Sequence, residues 1–243
     1  MNKKDCVLSI IITAHREGLV AHKTMKSVER AVKKIEEASI SYEVIVSIDR
    51  GDDQTIDYFN NYTGLPIHIY QWDHGDLSSS RNSAIKKAHG QFVSFIDADD
   101  LMSENWLHDS VQLLLKKPYG KYVAHSAYTI EFEGADSIVQ KTGYTTKDQD
   151  ILLSVLSGRW NSVIIAPITL LKKFPYAPNS PGYGYEDWYL SCCLIENGVK
   201  NILIPQTAIF VRRKSSGSEW ARQKASRSLL HAHSIFKPSN FRS

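Results

Sequence analysis

The sequence predicts an α/β domain in which helices flank a mostly parallel, Rossmann-like central sheet. Short β-branched runs alternate with amphipathic helical stretches through the first half of the chain, and this alternation favours parallel strands with helices on both faces. The run Phe92–Ile96 is largely apolar and lies between Gly90 and three carboxylates, as expected of a buried strand that ends at an edge of the sheet. The 243 residues, 42% of them hydrophobic, suffice for one large domain.

Four strands and three helices are predicted in the first half. The strands cover Val7–Thr13, Tyr42–Ile48, Leu65–Tyr70 and Phe92–Ile96. The first helix is predicted by apolar residues that recur at steps of three and four, at Met25, Val28, Val32 and Ile35. The turn-rich segment 49–53 leads into a short second helix, with Asp52 and Asp53 as helix-start acids, and a third helix over Leu77–Ala88 is stopped by Gly90.

The second half is predicted to be more irregular. Helices are expected at Ser103–Lys117 and Glu186–Glu196, and strands at Tyr122–Glu133, Val163–Ala166 and Asn201–Val211. A capping box at 146–149 marks the start of a further helix, and Phe174–Gly184 is a loop of the length that is often functional. A last helix is predicted over Ser218–Phe236. We therefore predict one domain over 1–217, with halves at about 1–101 and 102–217, followed by a basic helix or tail over 218–243.

Composition narrows the class of protein. No apolar run approaches the roughly 18 residues of a membrane span, and the first residues carry no signal-peptide core. Cys6, Cys192 and Cys193 have no spacing typical of a metal or redox motif, so we expect a cytoplasmic protein. From Arg212 onward the sequence contains eight basic residues and one acidic residue, Glu219. Such a tail could contact phosphates, an anionic membrane surface or only water.

The carboxylates of Asp97, Asp99 and Asp100 crowd the end of the fourth strand. Two like charges about 4 Å apart repel by roughly 4 kcal/mol at an effective dielectric constant near 20, so this cluster calls for a cation or strong hydrogen-bond donors. Alternation along an extended chain points Asp97 and Asp99 the same way, at the strand ends where α/β proteins bind ligands. The alternative is an acidic helix start capped by Ser103.

Five segments in order resemble the inverting family 2 glycosyltransferases. They are VLSIIITAHREG, YEVIVSIDRGDDQT, HGDLSSSRNSAIKKAHGQFVSFIDADD, GYGYEDW and VRRKSSGS, and together they span roughly residues 7–218. The resemblance implies the GT-A fold, with a nucleotide-binding first half and an acceptor-binding second half. It also implies transfer of a sugar from a nucleotide-diphosphate donor, with UDP favoured, to a glycan acceptor.

The resemblance also implies donor-side residues. Asp99 would ligate Mn²⁺ or Mg²⁺, which take carboxylate and phosphate oxygens, while Asp97 would contact the ribose or share the ion through water. Asp49 would read the base, unless it only forms a turn. Thr13 would line the same pocket, and Arg81, expected at a helix start, would contact phosphate or base. We interpret Asp100 as a helix-start acid in preference to a ligand.

On the acceptor side, the resemblance implies that Asp187 is the general base and that Glu186 holds the acceptor or a nearby loop, the reverse assignment remaining open. Trp188 and Tyr183 or Tyr185 could stack on a sugar, although core packing is the favoured role for Trp188. Many relatives carry a histidine, in some of them a metal ligand, where Lys214 stands.

A protonated lysine cannot ligate a metal, so Arg212, Arg213 and Lys214 are expected to hold the diphosphate instead.

The function predicted from these residues is a metal-dependent inverting glycosyltransferase that acts on a growing glycan, with lipid-linked surface polysaccharide as the candidate acceptor. No nucleic-acid partner is expected, and the basic tail is a candidate contact with anionic lipid. One alternative is a sugar nucleotidyltransferase, although 13–17 lack the Gly-rich phosphate loop that such an enzyme needs. Another alternative is a non-catalytic glycan-binding module of the same fold.

Overall fold

The structure is a computed structural model, described here for residues 6–133, 137–140, 160, 162–178, 180, 182–214 and 219–237. The strands are β1 Leu8–Ala14, β2 Tyr42–Asp49, β3 His68–Trp72, β4 Phe92–Asp97, β5 Leu101–Met102, β6 Tyr122–Phe132, β7 Ser137–Gln140, β8 Ile164–Pro167, β9 Tyr183–Gly184, β10 Lys200–Arg212 and β11 Leu229–Leu230. The helices are α1 Ala21–Glu37, α2 Asp53–Asn60, α3 Leu77–Lys87, α4 Trp106–Leu115, α5 Ile168–Lys173, α6 Glu186–Glu196 and α7 Glu219–Ala225, with 3₁₀ turns at Gly18–Val20 and Ser234–Phe236.

One nine-stranded sheet organises the fold. Its order is β3-β2-β1-β4-β8-β6-β10-β5, with β7 paired to β6. The first four strands of this order are parallel to one another, as are β6 and β10, while β8, β5 and β7 pair antiparallel to their neighbours. The predicted α/β class is confirmed, and the antiparallel strands all belong to the second half, which was expected to be irregular.

Helices cover both faces of the sheet, as the alternating pattern predicts. Met25, Val28, Val32 and Ile35 are fully buried on the face that α1 shares with α4. The opposite face packs against α3, α5 and α6. Gly90 comes so close to β1 that a Cβ atom there would lie 2.4 Å from the backbone nitrogen of Ser9, so the turn into β4 requires glycine.

Several predicted boundaries differ from the structure. The helix expected from Ser103 begins at Trp106, because Asp100 is followed by the short strand β5 and not by a helix. β3 begins three residues later than predicted, at His68. The helix expected over Ser218–Phe236 ends at Ala225, and the chain then forms β11, which pairs with β9. The predicted capping box at 146–149 lies outside the described residues.

No helix in the described residues is both long and apolar enough to cross a membrane.

Candidate active site

The carboxyl ends of β1, β2 and β4 meet at one edge of the sheet, as parallel strands require. Thr13 and Asp97 are register partners on adjacent strands, and the hydroxyl of Thr13 donates a hydrogen bond to the Asp97 carboxylate. Asp49 ends β2 at the same edge. The structure thus brings together three residues that were predicted to line one donor pocket.

Each acid of the Asp97–Asp100 cluster has a different partner. Asp97 accepts a hydrogen bond from Arg81 Nη2 at 3.0 Å, and Asp99 Oδ2 lies 2.5 Å from the Nζ atom of Lys214. Asp100 is buried and accepts a hydrogen bond from the backbone N–H of Arg212 at 2.8 Å. The interpretation of Asp100 as a helix-start acid is therefore wrong, because this carboxylate instead anchors the end of β10.

Arg81 lies in the interior and not at the surface where a nucleotide contact was expected. It is the fifth residue of α3, whose cap is Asp76, and its side chain is 1% exposed. Nη1 donates to Glu186 at 2.9 Å while Nη2 donates to Asp97. Burial alone would lower the pKa of this guanidinium, but the neighbouring carboxylates, Asp97 foremost, raise it on balance. Arg81 is therefore a charged bridge between two carboxylates.

Asp49 holds a loop in this structure. Its carboxylate accepts backbone hydrogen bonds from His74 at 2.8 Å, Gly75 at 3.2 Å and Asp76 at 3.0 Å. Three such donors are enough to fix the chain between β3 and α3. This is the turn-forming alternative for Asp49, and the base-reading role stays a prediction.

The basic residues at the end of β10 all face carboxylates. Arg212 Nε lies 2.5 Å from Glu133, and Arg213 is paired with Glu131. Lys214 lies between Asp99 and Glu17, whose Oε1 atom is 3.9 Å from Nζ. Sequence reasoning missed Glu17, although a carboxylate shortly after β1 must lie at the same sheet edge as the other strand-end acids.

Asp187 and Glu186 open α6, but their environments differ. Glu186 is buried against Arg81 and Gln223, whereas Asp187 remains partly exposed. Although part of Asp187 reaches solvent, the protein around its carboxyl group removes most of its hydration. This desolvation, reinforced by the charge of Glu186, raises the pKa of Asp187 to about 7. Tyr185 precedes them with φ 61° and ψ 49°, a left-handed conformation that is uncommon for a non-glycine residue.

The surroundings of Asp187 restrict where a sugar could bind. A cavity of about 10 Å³ behind this residue is lined by Tyr176, His125 and Asn201. That is room for about one water molecule, so this cavity is too small for a sugar. Trp188 packs against Cys192 and Ile235, in line with the packing role that the sequence favours.

Two residues that sequence reasoning left unassigned join α3 to the acceptor half. Asn82 donates from Nδ2 to the Tyr176 carbonyl at 2.8 Å and accepts from the Tyr176 N–H at 3.0 Å. The Tyr176 ring also lies 5.3 Å from the Arg81 guanidinium carbon. The available signal was the Arg-Asn pair itself, two polar neighbours in the middle of a helix.

The C-terminal segment packs on the acceptor side. Gln223 on α7 reaches Glu186 at 3.4 Å, and a Cβ atom on Gly184 would lie 2.8 Å from the Gln223 side chain. Tyr183 and His231 stack with ring centroids 4.8 Å apart. Residues 219–237 therefore help to form the surroundings of α6.

The acids at the strand ends suit a divalent cation bound together with phosphate. Among the described residues no group of three or more His, Cys, Asp or Glu side chains could hold a metal by itself. The Asp99 carboxylate is nevertheless paired with a cationic group in this structure, the ammonium of Lys214. A positive charge is therefore favoured beside Asp99. Hard divalent ions commonly bind one or two carboxylates and complete their shell with substrate phosphates.

Comparison with known proteins identifies the family. The sequence profile described as glycosyl transferase family 2 matches residues 9–173, which is more than half of the chain. The chain belongs to glycosyl transferase family 2. The resemblance seen in the sequence motifs is thereby confirmed.

Two relatives of this chain are glycosyltransferases by name. The poly(ribitol-phosphate) beta-N-acetylglucosaminyltransferase TarP of Staphylococcus aureus is 31% identical over 106 residues, covering 42% of this chain and 31% of TarP. The UDP-Glc:alpha-D-GlcNAc-diphosphoundecaprenol beta-1,3-glucosyltransferase WfgD of Escherichia coli is 24% identical over 198 residues, covering 79% of this chain and 71% of WfgD. This family 2 chain thus spans about a third of TarP but most of WfgD.

Solved structures that resemble this chain confirm the GT-A fold. The structure of residues 1–349 of Staphylococcus aureus TarS in complex with UDP-GlcNAc has a TM-score of 0.66 at 19% identity, covering 88% of this chain and 60% of that one. The structure of GalNAc-T7 with UDP, GalNAc and Mn²⁺ has a TM-score of 0.63 at 16% identity, covering 88% of this chain and 44% of the other. At these identities the likeness establishes the fold alone.

Proposed function

We propose that this protein is an inverting glycosyltransferase that transfers a sugar from a UDP-sugar to a hydroxyl group of a glycan. The observation that carries the proposal is the Arg81 bridge, which joins Asp97 on the donor side to Glu186, the immediate neighbour of Asp187, on the acceptor side. One buried guanidinium thus ties the predicted donor acids to the start of the helix that carries the predicted base. Membership of family 2 supports the same reaction class.

Asp187 is the general base in this proposal. The acceptor oxygen forms a bond to the anomeric carbon while the bond from that carbon to the diphosphate oxygen breaks, and its electron pair leaves with the diphosphate. Asp187 takes the hydroxyl proton. A base with a pKa near the working pH is the most effective, and burial raises the pKa of Asp187 to about 7. Glu186 is occupied by Arg81 and Gln223, so we assign it a positioning role.

A divalent metal, Mn²⁺ or Mg²⁺, would be held by Asp99, with Asp97 beside it. When bound, such an ion acts as a Lewis acid that stabilises the negative charge of the departing diphosphate. Thr13 and Arg81 hold the Asp97 carboxylate in place. Arg212 could bind the diphosphate if its guanidinium group broke its contact with Glu133. GalNAc-T7, which shares the fold, was solved with Mn²⁺.

The acceptor is proposed to be a growing surface glycan, for which a lipid-linked form is the candidate. The activities for which TarP and WfgD are named concern poly(ribitol-phosphate) and a diphosphoundecaprenol-linked sugar. A cytoplasmic protein working on such an acceptor would benefit from contact with the inner membrane surface. The exposed side chains of Arg227 and Lys237 lie in the segment that packs beside α6, and basic groups near anionic lipid contribute about 1 kcal/mol each.

Sedimentation with liposomes tests the membrane part separately. We expect the protein to sediment with anionic vesicles at low salt and to be released by salt, because screening weakens surface attraction. The variant Arg227→Gln/Lys237→Gln should sediment less. Equal sedimentation of variant and wild type, or none with wild type, would remove membrane contact from the proposal and leave the transferase reaction intact.

A donor hydrolysis screen tests the reaction itself. UDP-, GDP- and dTDP-sugars are incubated with the protein and Mn²⁺, with and without EDTA, and the released nucleoside diphosphate is measured. We expect release of UDP that EDTA abolishes and that Asp187→Asn slows strongly, while Asp57→Asn, an exposed acid on α2, has no effect. Turnover that survives EDTA would contradict the metal role of Asp99. No turnover and no thermal shift with any nucleotide would favour the non-catalytic glycan-binding module.

A further inference from the structure

The ammonium group of Lys214 lies at the carboxylate that the proposed metal would use. Its Nζ atom is 2.5 Å from Asp99 and 3.9 Å from Glu17. The side chains of these acids are only 11% and 12% exposed, so water screens their charges poorly. Lys214 is therefore the cation that balances two clustered carboxylates when no ligand is bound.

The fold delivers Lys214 to this position. β10 pairs with β5 immediately after the acidic cluster, with Phe210 opposite Leu101. The Arg212 N–H is then fixed on the Asp100 carboxylate at 2.8 Å. Lys214 follows two residues later, on a chain segment that is anchored to the same cluster as Asp99. Its approach to Asp99 is thus built into the strand pairing and does not depend on a long flexible loop.

We infer that Lys214 is a built-in counter-ion of Asp99, which a divalent metal replaces only together with a nucleotide diphosphate. A metal ion arriving alone must break the Lys214–Asp99 pair and leave the ammonium beside a like charge, which is unfavourable at separations near 4 Å. A diphosphate removes this obstacle because its oxygens give the displaced ammonium a new partner. The inference rests on the proposed function only in taking the diphosphate to be that of the donor.

Whether Mn²⁺ needs the diphosphate in order to bind can be tested without turnover by measuring Mn²⁺ binding. Electron paramagnetic resonance detects free Mn²⁺, and the loss of that signal reports the fraction of the ion that is bound. The protein is titrated with Mn²⁺ in the absence and presence of UDP. We expect Lys214→Met to bind Mn²⁺ alone at least tenfold more tightly than wild type. With UDP present, the two proteins should differ less, because UDP draws Lys214 from Asp99 in the wild type.

Arg213→Met is the matched control, because it removes a neighbouring positive charge that is paired with Glu131 and not with Asp99. In the absence of UDP it should bind Mn²⁺ as wild type does, as should Lys214→Arg, which keeps the charge. Thermal melts report whether each variant is folded, and Mn²⁺ alone should raise the melting temperature of Lys214→Met by more than that of wild type.

Equal Mn²⁺ affinity of wild type and Lys214→Met without UDP would overturn the inference, as would the absence of Mn²⁺ binding from both. An increase of the same size in Arg213→Met would also overturn it, since a general charge effect would then suffice. Failure of the proposed function has a different signature, because no donor would then be hydrolysed even if Lys214→Met gained affinity for Mn²⁺.

Discussion

Replacing Arg81 with methionine should destabilise the protein strongly. Methionine has a similar length, but it leaves the carboxylates of Glu186 and Asp97 without their shared partner. Glu186 is 7% exposed and Asp97 is 33% exposed, so the cost is expected mainly from Glu186. Removing one partner of a buried pair costs about 3–5 kcal/mol. We take the lower end, about 3 kcal/mol, because water still reaches Asp97.

Thermal and urea unfolding followed by circular dichroism measure this cost. A loss of about 3 kcal/mol should lower the melting temperature by roughly 6–12 °C in a domain of this size. Arg50→Met is the control, because the Arg50–Asp73 pair is 52% and 88% exposed and should contribute less than about 1 kcal/mol. Arg81→Met/Glu186→Gln should recover much of the loss, since it removes the unpaired charge as well.

Two results would refute this reasoning. One is an Arg81→Met protein that unfolds within about 1 kcal/mol of wild type, which would mean that the bridge is solvated in solution. The other is strict additivity of the Arg81 and Glu186 substitutions, because residues in one ion-pair network should show an interaction energy.

Three further predictions concern the base, a turn and the loop before α6. Asp187→Asn should lower kcat by a factor of about 10²–10⁴. Wild-type kcat/KM should fall as the pH drops below about 7, because burial raises the pKa of this carboxyl to about 7 and only the carboxylate accepts a proton. A pH profile that shows no such fall would contradict the assignment. Gly90→Ala should cost about 1–3 kcal/mol in urea unfolding, since the new Cβ atom would lie 2.4 Å from Ser9 N; unchanged stability would show that β1 yields. Asn82→Ala should cost about 1–3 kcal/mol and speed hydrogen exchange around Tyr176, to which it makes two hydrogen bonds; unaltered exchange would contradict its anchoring role.

The first half of the fold could be predicted from sequence because its signals are local. Period and turn chemistry determine where α1, α3 and β4 lie, and the bounds predicted for α3 and β4 agree with the structure to within one residue. The prediction of the last helix was wrong for a physical reason. Its pattern continues to Phe236, but β9 offers a strand edge on which Leu229 and Leu230 pair. That partner is 46 residues away in the chain and gives no local signal.

In the candidate site, too, only the features that depend on local sequence could be predicted. Strand ends can be inferred from sequence, so Thr13, Asp49 and Asp97 were expected at one edge. Which polar group faces which could not be inferred, because it depends on contacts between distant segments. Arg81 was expected at a helix start, but the helix begins at Leu77, and four further residues turn its side chain towards the interior and Glu186.

Each of Asp97, Asp99 and Asp100 has a separate partner, which explains how three carboxylates can lie at the end of one strand. A single metal would have to neutralise all three, whereas here each acid has its own positive or donor group. Arg81 on α3 serves Asp97, the N–H of Arg212 at the end of β10 serves Asp100, and Lys214, two residues further on, serves Asp99. The cluster can thus fold before any ligand is bound. The three contacts are not equivalent, however. That of Asp97 involves Arg81, whose side chain is 1% exposed, and that of Asp100 involves a backbone amide fixed by its strand, while the Lys214 side chain is 27% exposed. Ligand binding should therefore act on the Asp99 contact first, since it is the one whose cation can move onto a phosphate without unfolding its neighbours.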